Sequence, residues 1–181
     1  MAIKTFTTGE VLTAADTNTY LANSGLVFVK SQTIGAGVAS QSVTGAFSST
    51  FDNYLIQVNG GVASSSIELA MTLGATVTGY YYQYIYTTWN TTVAADAGTN
   101  NAKFPYCGFG SSTELNMSLT ILSPNLAKVT RVQSAGGLLT SYTGQMLGML
   151  NNTTQYTDFA IQPASGTMTG GTITVYGYRK A

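Results

Sequence analysis

From Leu26 onward the chain alternates apolar and polar residues with a period of two, the pattern of strands that bury one face. Phe51 to Asn59 carries the pattern most fully. Asp52 and Asn53 suit a turn; Tyr54, Ile56 and Val58 then share one face, with Leu55 and Gln57 on the other. One side is apolar throughout and the other only in part, which predicts a strand placed centrally in a packed sheet. Ser66 to Leu73 gives the half-buried version, with Ile67, Leu69 and Met71 opposite Glu68 and Ala70. Further strands are predicted at Leu26 to Ile34, Val38 to Phe47, Phe104 to Phe109, Glu114 to Leu122, Leu126 to Ser134, Leu138 to Leu150, Tyr156 to Gln162 and Gly170 to Arg179. Ser123-Pro124-Asn125 makes the turn of a hairpin between two of them. Strands separated by Gly, Ser and Asn turns, without a short-period repeat, predict an all-β antiparallel β-sandwich, jelly-roll-like.

Gly79 opens a strand of unusual content, in which period two puts Tyr80, Tyr82, Tyr84 and Tyr86 on one face and Trp89 at the end. A tyrosine joins an apolar ring to a polar tip. Such a ladder suits a core strand whose hydroxyls reach the rim, a subunit interface, or a platform on which sugar rings stack. Thr91 to Asn101 follows as a polar, small-residue segment read as a long loop, where binding variation tends to sit. Tyr80, Tyr82, Tyr84, Tyr86 and Trp89 are therefore the candidate glycan or interface surface.

Residues 1–25 differ from the rest. Thr13-Ala14-Ala15-Asp16 has the form of a helix N-cap with an acid three residues on, which predicts one short helix from about Ala14 to Ala22, closed by Asn23-Ser24-Gly25. A helix this short is marginal alone in water and must pack on something. Ile3, Phe6, Val11 and Leu12 give the segment before it apolar anchors. Either this arm folds back on its own domain or it docks on a neighbouring subunit or particle. The chain divides accordingly into an arm, 1–25, and a β-domain, 26–181.

Charge changes the picture. Charged residues are 8% of the 181, where a soluble domain has about a quarter. Aromatics at 11% argue against disorder. The surface must be built from Thr, Ser, Asn, Gln and Gly, much of it covered by identical subunits. No basic stripe exists to hold a phosphate backbone, which excludes nucleic acid. The sequence contains no apolar run near the ~18 residues of a membrane span and no secretory pattern, so synthesis and folding in a cytoplasm are expected. The sequons at Asn90, Asn116, Asn151 and Asn152 then carry no glycans.

Candidate chemistry is sparse. Without histidine the usual triads and the commonest zinc ligand are missing. Cys107 is the only cysteine and reads as a small buried side chain. Glu10, Asp16, Asp52, Glu68, Asp96, Glu114 and Asp158 stand far apart and read as turns, caps and solvated faces, although folding could pair two of them as in a glycosidase. No Gly-rich phosphate loop opens a helix. The chain is expected to be no enzyme and to need no cofactor or metal.

The run from Phe6 to Leu21, FTTGEVLTAADTNTYL, resembles the opening of many tailed-bacteriophage virion proteins described as minor tail or tail-fibre proteins. Phe51-Asp52-Asn53-Tyr54-Leu55-Ile56 and the closing Gly171 to Arg179 are similar to the β-domain that follows in phage appendage proteins. The middle of the chain carries no motif of this kind. The resemblance implies a trimer whose N-terminal segment, with Phe6, Val11, Leu12, Tyr20 and Leu21, attaches to other virion proteins while the β-domain projects toward a host surface glycan. It implies a tail-fibre or receptor-binding role first, and a capsid decoration protein or head fibre second. A glycan-hydrolysing appendage is disfavoured by the missing histidine and scattered acids. The location implied is the virion, assembled in the host cytoplasm.

Overall fold

A computed structural model describes residues 7–16, 25–138 and 141–180. The strands are β1 (Leu26–Thr33), β2 (Gln41–Val43), β3 (Asn53–Asn59), β4 (Val62–Ala63), β5 (Ile67–Leu73), β6 (Tyr80–Thr88), β7 (Val93–Asn101), β8 (Phe104–Gly110), β9 (Leu115–Leu122), β10 (Thr130–Leu138), β11 (Tyr142–Leu150), β12 (Phe159–Pro163), β13 (Met168–Thr169) and β14 (Thr172–Tyr178). All described pairings are antiparallel.

The strands form an antiparallel β-sandwich of unequal layers. The larger layer runs β1-β14-β3-β9-β10-β11-β6-β7, and the smaller runs β2-β12-β5-β8. They are continuous at one corner, where Phe109 and Gly110 of β8 pair with Asn116 and Leu115 at the start of β9. Alternation decides which residues face inward. Tyr54, Ile56 and Val58 of β3, Leu119 and Ile121 of β9, and Ile173 and Val175 of β14 are all fully buried. The strand expected at the centre, β3, does lie between two partners, β14 and β9.

The two β-domain stretches that carry the resemblance are neighbours in space. Tyr54 pairs with Gly177 and Ile56 with Val175. The Phe51 ring covers Gly177 so closely that a Cβ there would overlap it. The glycine in Tyr176-Gly177-Tyr178 thus makes room for an aromatic ring from the preceding turn.

Several boundaries differ from those expected. Val38 to Phe47 narrows to β2 and one bridge at Val38, because Gly37 and Gly45 take φ of 62° and turn the backbone out of the sheet. Leu126 to Lys128 belong to the turn, and β10 begins at Thr130 and runs on through Gly136-Gly137 to Leu138, pairing with β11 along its length. Tyr156 precedes β12 and instead anchors loops, its carbonyl accepting from Asn125 at 2.8 Å. The clearest correction is Thr91 to Asn101. Its residues from Val93 form a strand, β7, paired with β6 from Tyr80↔Asn101 to Thr87↔Val93.

At the N-terminal end, α1 covers Ala14–Asp16, and its cap is the one the sequence predicts. The Thr13 hydroxyl accepts from the Asp16 amide at 3.1 Å while the Asp16 carboxylate accepts from the Thr13 amide at 3.2 Å. The remainder of the expected helix, 17–22, lies outside the described residues, as do Phe6, Tyr20 and Leu21.

Candidate interaction surface

The tyrosine ladder lies on one face of β6, as period two requires, and that face points into the sandwich. Tyr80 and Tyr84 are buried. The Tyr80 hydroxyl accepts from the Leu73 amide at 2.8 Å and donates to the Thr76 carbonyl at 3.1 Å; the Tyr84 hydroxyl donates to the Gly136 carbonyl at 2.9 Å. Their rings pack on β8, with Tyr80 4.7 Å from Phe104 and Tyr84 4.5 Å from Tyr106 at 9° from parallel. Neither has a ring face left for a ligand. Alternation says which side chains share a face, but not whether a second layer covers it, and here β8 does.

Tyr82 and Tyr86 are half-buried at the margin of the same cluster. Tyr86 stacks on Tyr84 at 5.2 Å and leans on Tyr142 at 4.9 Å. The hydroxyls of Tyr82 and Tyr106 both donate to one carboxylate oxygen of Asp96, at 3.0 and 2.8 Å. Burial, then these bonds and the charges of Asp96 and Glu68, push both phenols above the ordinary tyrosine range. They stay protonated donors at any physiological pH.

The same geometry explains why the inward positions of β7 carry short side chains. Ala94, Asp96 and Gly98 stand opposite Tyr86, Tyr84 and Tyr82. A Cβ on Gly98 would come within 2.6 Å of the Tyr82 ring. Weak strand formers pair here because the rings of the neighbouring strand lie over them.

Of the candidates, Trp89 alone shows most of its surface, 61%, at the tip of the β6–β7 hairpin. The tip is closed by the Thr88 amide on the Thr92 carbonyl at 3.0 Å, with Thr91 in the left-handed region at φ 68°.

A second surface lies on the outward side of the larger layer. Phe28, Leu122, Leu147, Ile85 and Val93 are exposed there, on β1, β9, β11, β6 and β7. Between β9 and β6 this face is hollowed into a groove of about 510 Å³, lined by Tyr81, Leu122, Arg131, Gln133, Leu147 and Met149. Sequence reading missed it. The available signal was Leu122, Leu147 and Ile85 standing at the polar phase of their alternation.

The acids hold local structure. Asp52 pairs with Lys180 at 2.8 Å, and Asp158 accepts from the Gly45 amide at 2.7 Å. Among the described residues no group of three or more His, Cys, Asp or Glu side chains could hold a metal, and no helix is long and apolar enough to cross a membrane. Cys107 is buried, its thiol donating to the Phe104 carbonyl at 3.4 Å, and burial raises its pKa. That is the opposite of what a nucleophilic thiol needs.

No protein-family model matches the chain, and no curated protein matches it. Among solved structures it is similar to VP2 of infectious bursal disease virus in a subviral particle, at 14% identity and a TM-score of 0.15, over 84% of this chain and 42% of that one. The D431N mutant of the same VP2, in derived T=1 particles, gives 10% identity and a TM-score of 0.16 over 83% and 40%. The chain spans less than half of each of these proteins, and a likeness this slight carries no argument about role.

Proposed function

We propose that the chain is a non-enzymatic structural protein of a bacteriophage virion, a homotrimeric tail-fibre or receptor-binding component that attaches through residues 1–25 and projects the sandwich of residues 26–181. The observation that carries this reading is the state of the arm. Residues 7–15 are exposed throughout, including Val11 at 78% and Leu12 at 49%. An arm that leaves the adjacent Val11 and Leu12 side chains in water fits a segment that docks on another protein. In this reading Phe6, Tyr20 and Leu21 belong to the same attachment segment.

The resemblance of Phe6 to Leu21 to phage tail proteins supports the virion, and the low charge of the sandwich supports assembly with other copies. The reading needs no cofactor or metal, and its site of assembly is the host cytoplasm. A host glycan would meet the exposed hairpin tip at Trp89 rather than the buried rings of Tyr80 and Tyr84.

Deleting residues 1–25 tests it. The truncated chain keeps its β circular-dichroism signal and no longer enters particles; a truncated chain that fails to fold makes the arm part of the domain and overturns the reading. Counting copies per particle by quantitative mass spectrometry separates the tail from the shell. A copy number on the scale of the shell lattice would make the protein a capsid decoration protein or head fibre instead.

A further inference from the structure

Apart from Val77 and Trp89, in the loops before and after β6, the large exposed apolar side chains of the sandwich are not scattered. On the outward face of the larger layer they form two groups separated by polar positions. One, at the β1–β14 edge, is Leu26, Phe28 and Tyr178, with Phe28 61% exposed and its ring edge-on to Tyr176 at 6.2 Å. The other is the groove between β9 and β6, with Leu147 58% exposed and Ile85 beyond it. On β3 and β9, between the two groups, the outward positions are Asn53, Gln57, Asn59, Asn116, Ser118 and Thr120, with only Leu55 apolar.

We infer that this face is where copies of the chain meet, with the Phe28 group of one copy seated in the Leu122–Leu147 groove of the next. The inference deepens the trimeric reading above and rests on it.

Charge selects the occupant. Among the described strand residues that point outward from this layer, Arg131 carries the only charge, and it lies at one end, between Leu122 and Met149. Beyond that one side chain a highly charged partner would find nothing to pair with. A second copy brings the same uncharged groups, and this chain's seven acidic and seven basic residues cancel.

Size agrees. At ~4.8 Å per strand and ~3.3 Å per residue, the layer is about 35 Å by 25 Å, an area of about 900 Å², which a ring divides between two contacts, so that each copy gives both of them together about the ~800 Å² that a standard interface takes from one partner. A projecting group and a groove at opposite ends of one face can engage reciprocally across a two-fold axis or in one direction around a ring, and the trimeric reading above takes the second, heterologous form. Heterologous contacts close into rings such as trimers when the rotation permits. Three such faces turned inward toward one axis bring the β1–β14 edge of each copy against the β11–β6 region of the next.

Cysteine cross-linking tests the pairing, since Cys107 is buried and does not compete. The full chain carrying both Phe28→Cys and Leu147→Cys is expected to give, on mild oxidation, covalent species up to three chains, while neither single variant gives any. Leu147→Asp and Phe28→Asp, both at exposed positions, are expected to sediment as folded monomers with the β circular-dichroism signal kept, where the unmodified chain at micromolar concentration sediments as a trimer. A trimer that survives both aspartates and gives no cross-link overturns the assignment of the face and leaves the trimer standing. Cross-linked dimers from either single variant mean a like-to-like contact, and a double variant whose cross-linking stops at two chains means reciprocal two-fold pairing; either overturns the ring. An unmodified chain that is monomeric at every concentration removes the inference and the trimer together, while incorporation into particles still reports separately on the virion role.

Discussion

The Tyr106 hydroxyl donates to Asp96 at 2.8 Å, and Tyr106 holds a backbone φ of 54° where it does so. A bulky residue in the left-handed region is strained, and the strain persists because the surroundings fix the ring. The stack on Tyr84 and the bond to Asp96 both do this, at the place where the β5–β8 pairing shifts register between Leu69 and Met71.

Tyr106→Phe keeps the stack and removes the bond, and is expected to cost about 1–2 kcal/mol. Tyr84→Ala removes a buried ring that touches several others and is expected to cost about 3–5 kcal/mol. Urea midpoints of the two variants check this ordering. A Tyr106→Phe loss as large as that of Tyr84→Ala would mean that the polar bond, rather than the ring packing, holds the two layers together.

Stability should fall at high pH. Burial pushes Tyr80 up to about 12, with the Leu73 amide bond opposing, and Tyr84, also through burial, higher still. In the unfolded chain these phenols lose their protons near pH 10. Between pH 10 and about 12 the unfolded state therefore binds fewer protons than the folded one, so the contribution present below pH 10 is lost as the pH rises. Thermal melts from pH 8 to 12 are expected to be level to about pH 9.5 and then to decline. Tyr80→Phe, which ionises in neither state, is expected to flatten part of that decline. A decline of the same slope in the variant would assign it to other groups.

Gly61 and Gly171 form a second tight junction, where β3 leaves toward β4 and β13 enters β14. Both have positive φ, 75° and 85°. A Cβ on Gly61 would overlap the Gly170 carbonyl, and one on Gly171 the Gly60 carbonyl. Each substitution by Ala meets backbone that cannot step aside. Gly61→Ala and Gly171→Ala are each expected to cost more than ~1 kcal/mol, beyond the ordinary Gly-to-Ala change. Gly45→Ala, also at positive φ within the domain but with no atom near its Cβ, is expected to cost less than either. Calorimetry of the three variants separates collision from conformational preference.

Much of this architecture was legible because period two assigns faces locally. Tyr54, Ile56 and Val58 point inward together, and so do the ladder tyrosines of β6. Layering is a non-local property. Nothing in Tyr80 to Tyr86 says that Phe104 and Tyr106 will cover that face, and hence that Tyr80 and Tyr84 are core while Trp89 remains outside. The segment from Val93 to Asn101 reads as a loop by composition, since Ala, Gly, Asn and Asp are poor strand formers. Its order comes from the rings of β6, and the small residues are the ones those rings permit. Gly136-Gly137 falls between the expected strands Leu126 to Ser134 and Leu138 to Leu150, yet it lies inside β10, where a Cβ on Gly137 would overlap the Tyr142 carbonyl of the paired strand.

The hairpin tip is where binding to a host glycan can be separated from packing. Trp89 is 61% exposed on a turn held by its own backbone bonds, so Trp89→Ala is expected to change stability by less than about 0.5 kcal/mol. Tyr86 is unlike it. Its ring stacks on Tyr84 and packs on Tyr142, so Tyr86→Ala loosens the cluster and would lower adsorption through instability alone. The informative variant is therefore Trp89→Ala alone, scored for melting temperature and for adsorption of particles to host cells. Under the receptor-binding reading adsorption falls while melting is unchanged, because an aromatic face at a projecting tip can stack on a sugar without help from charge. Unchanged adsorption would remove the tip from the binding surface.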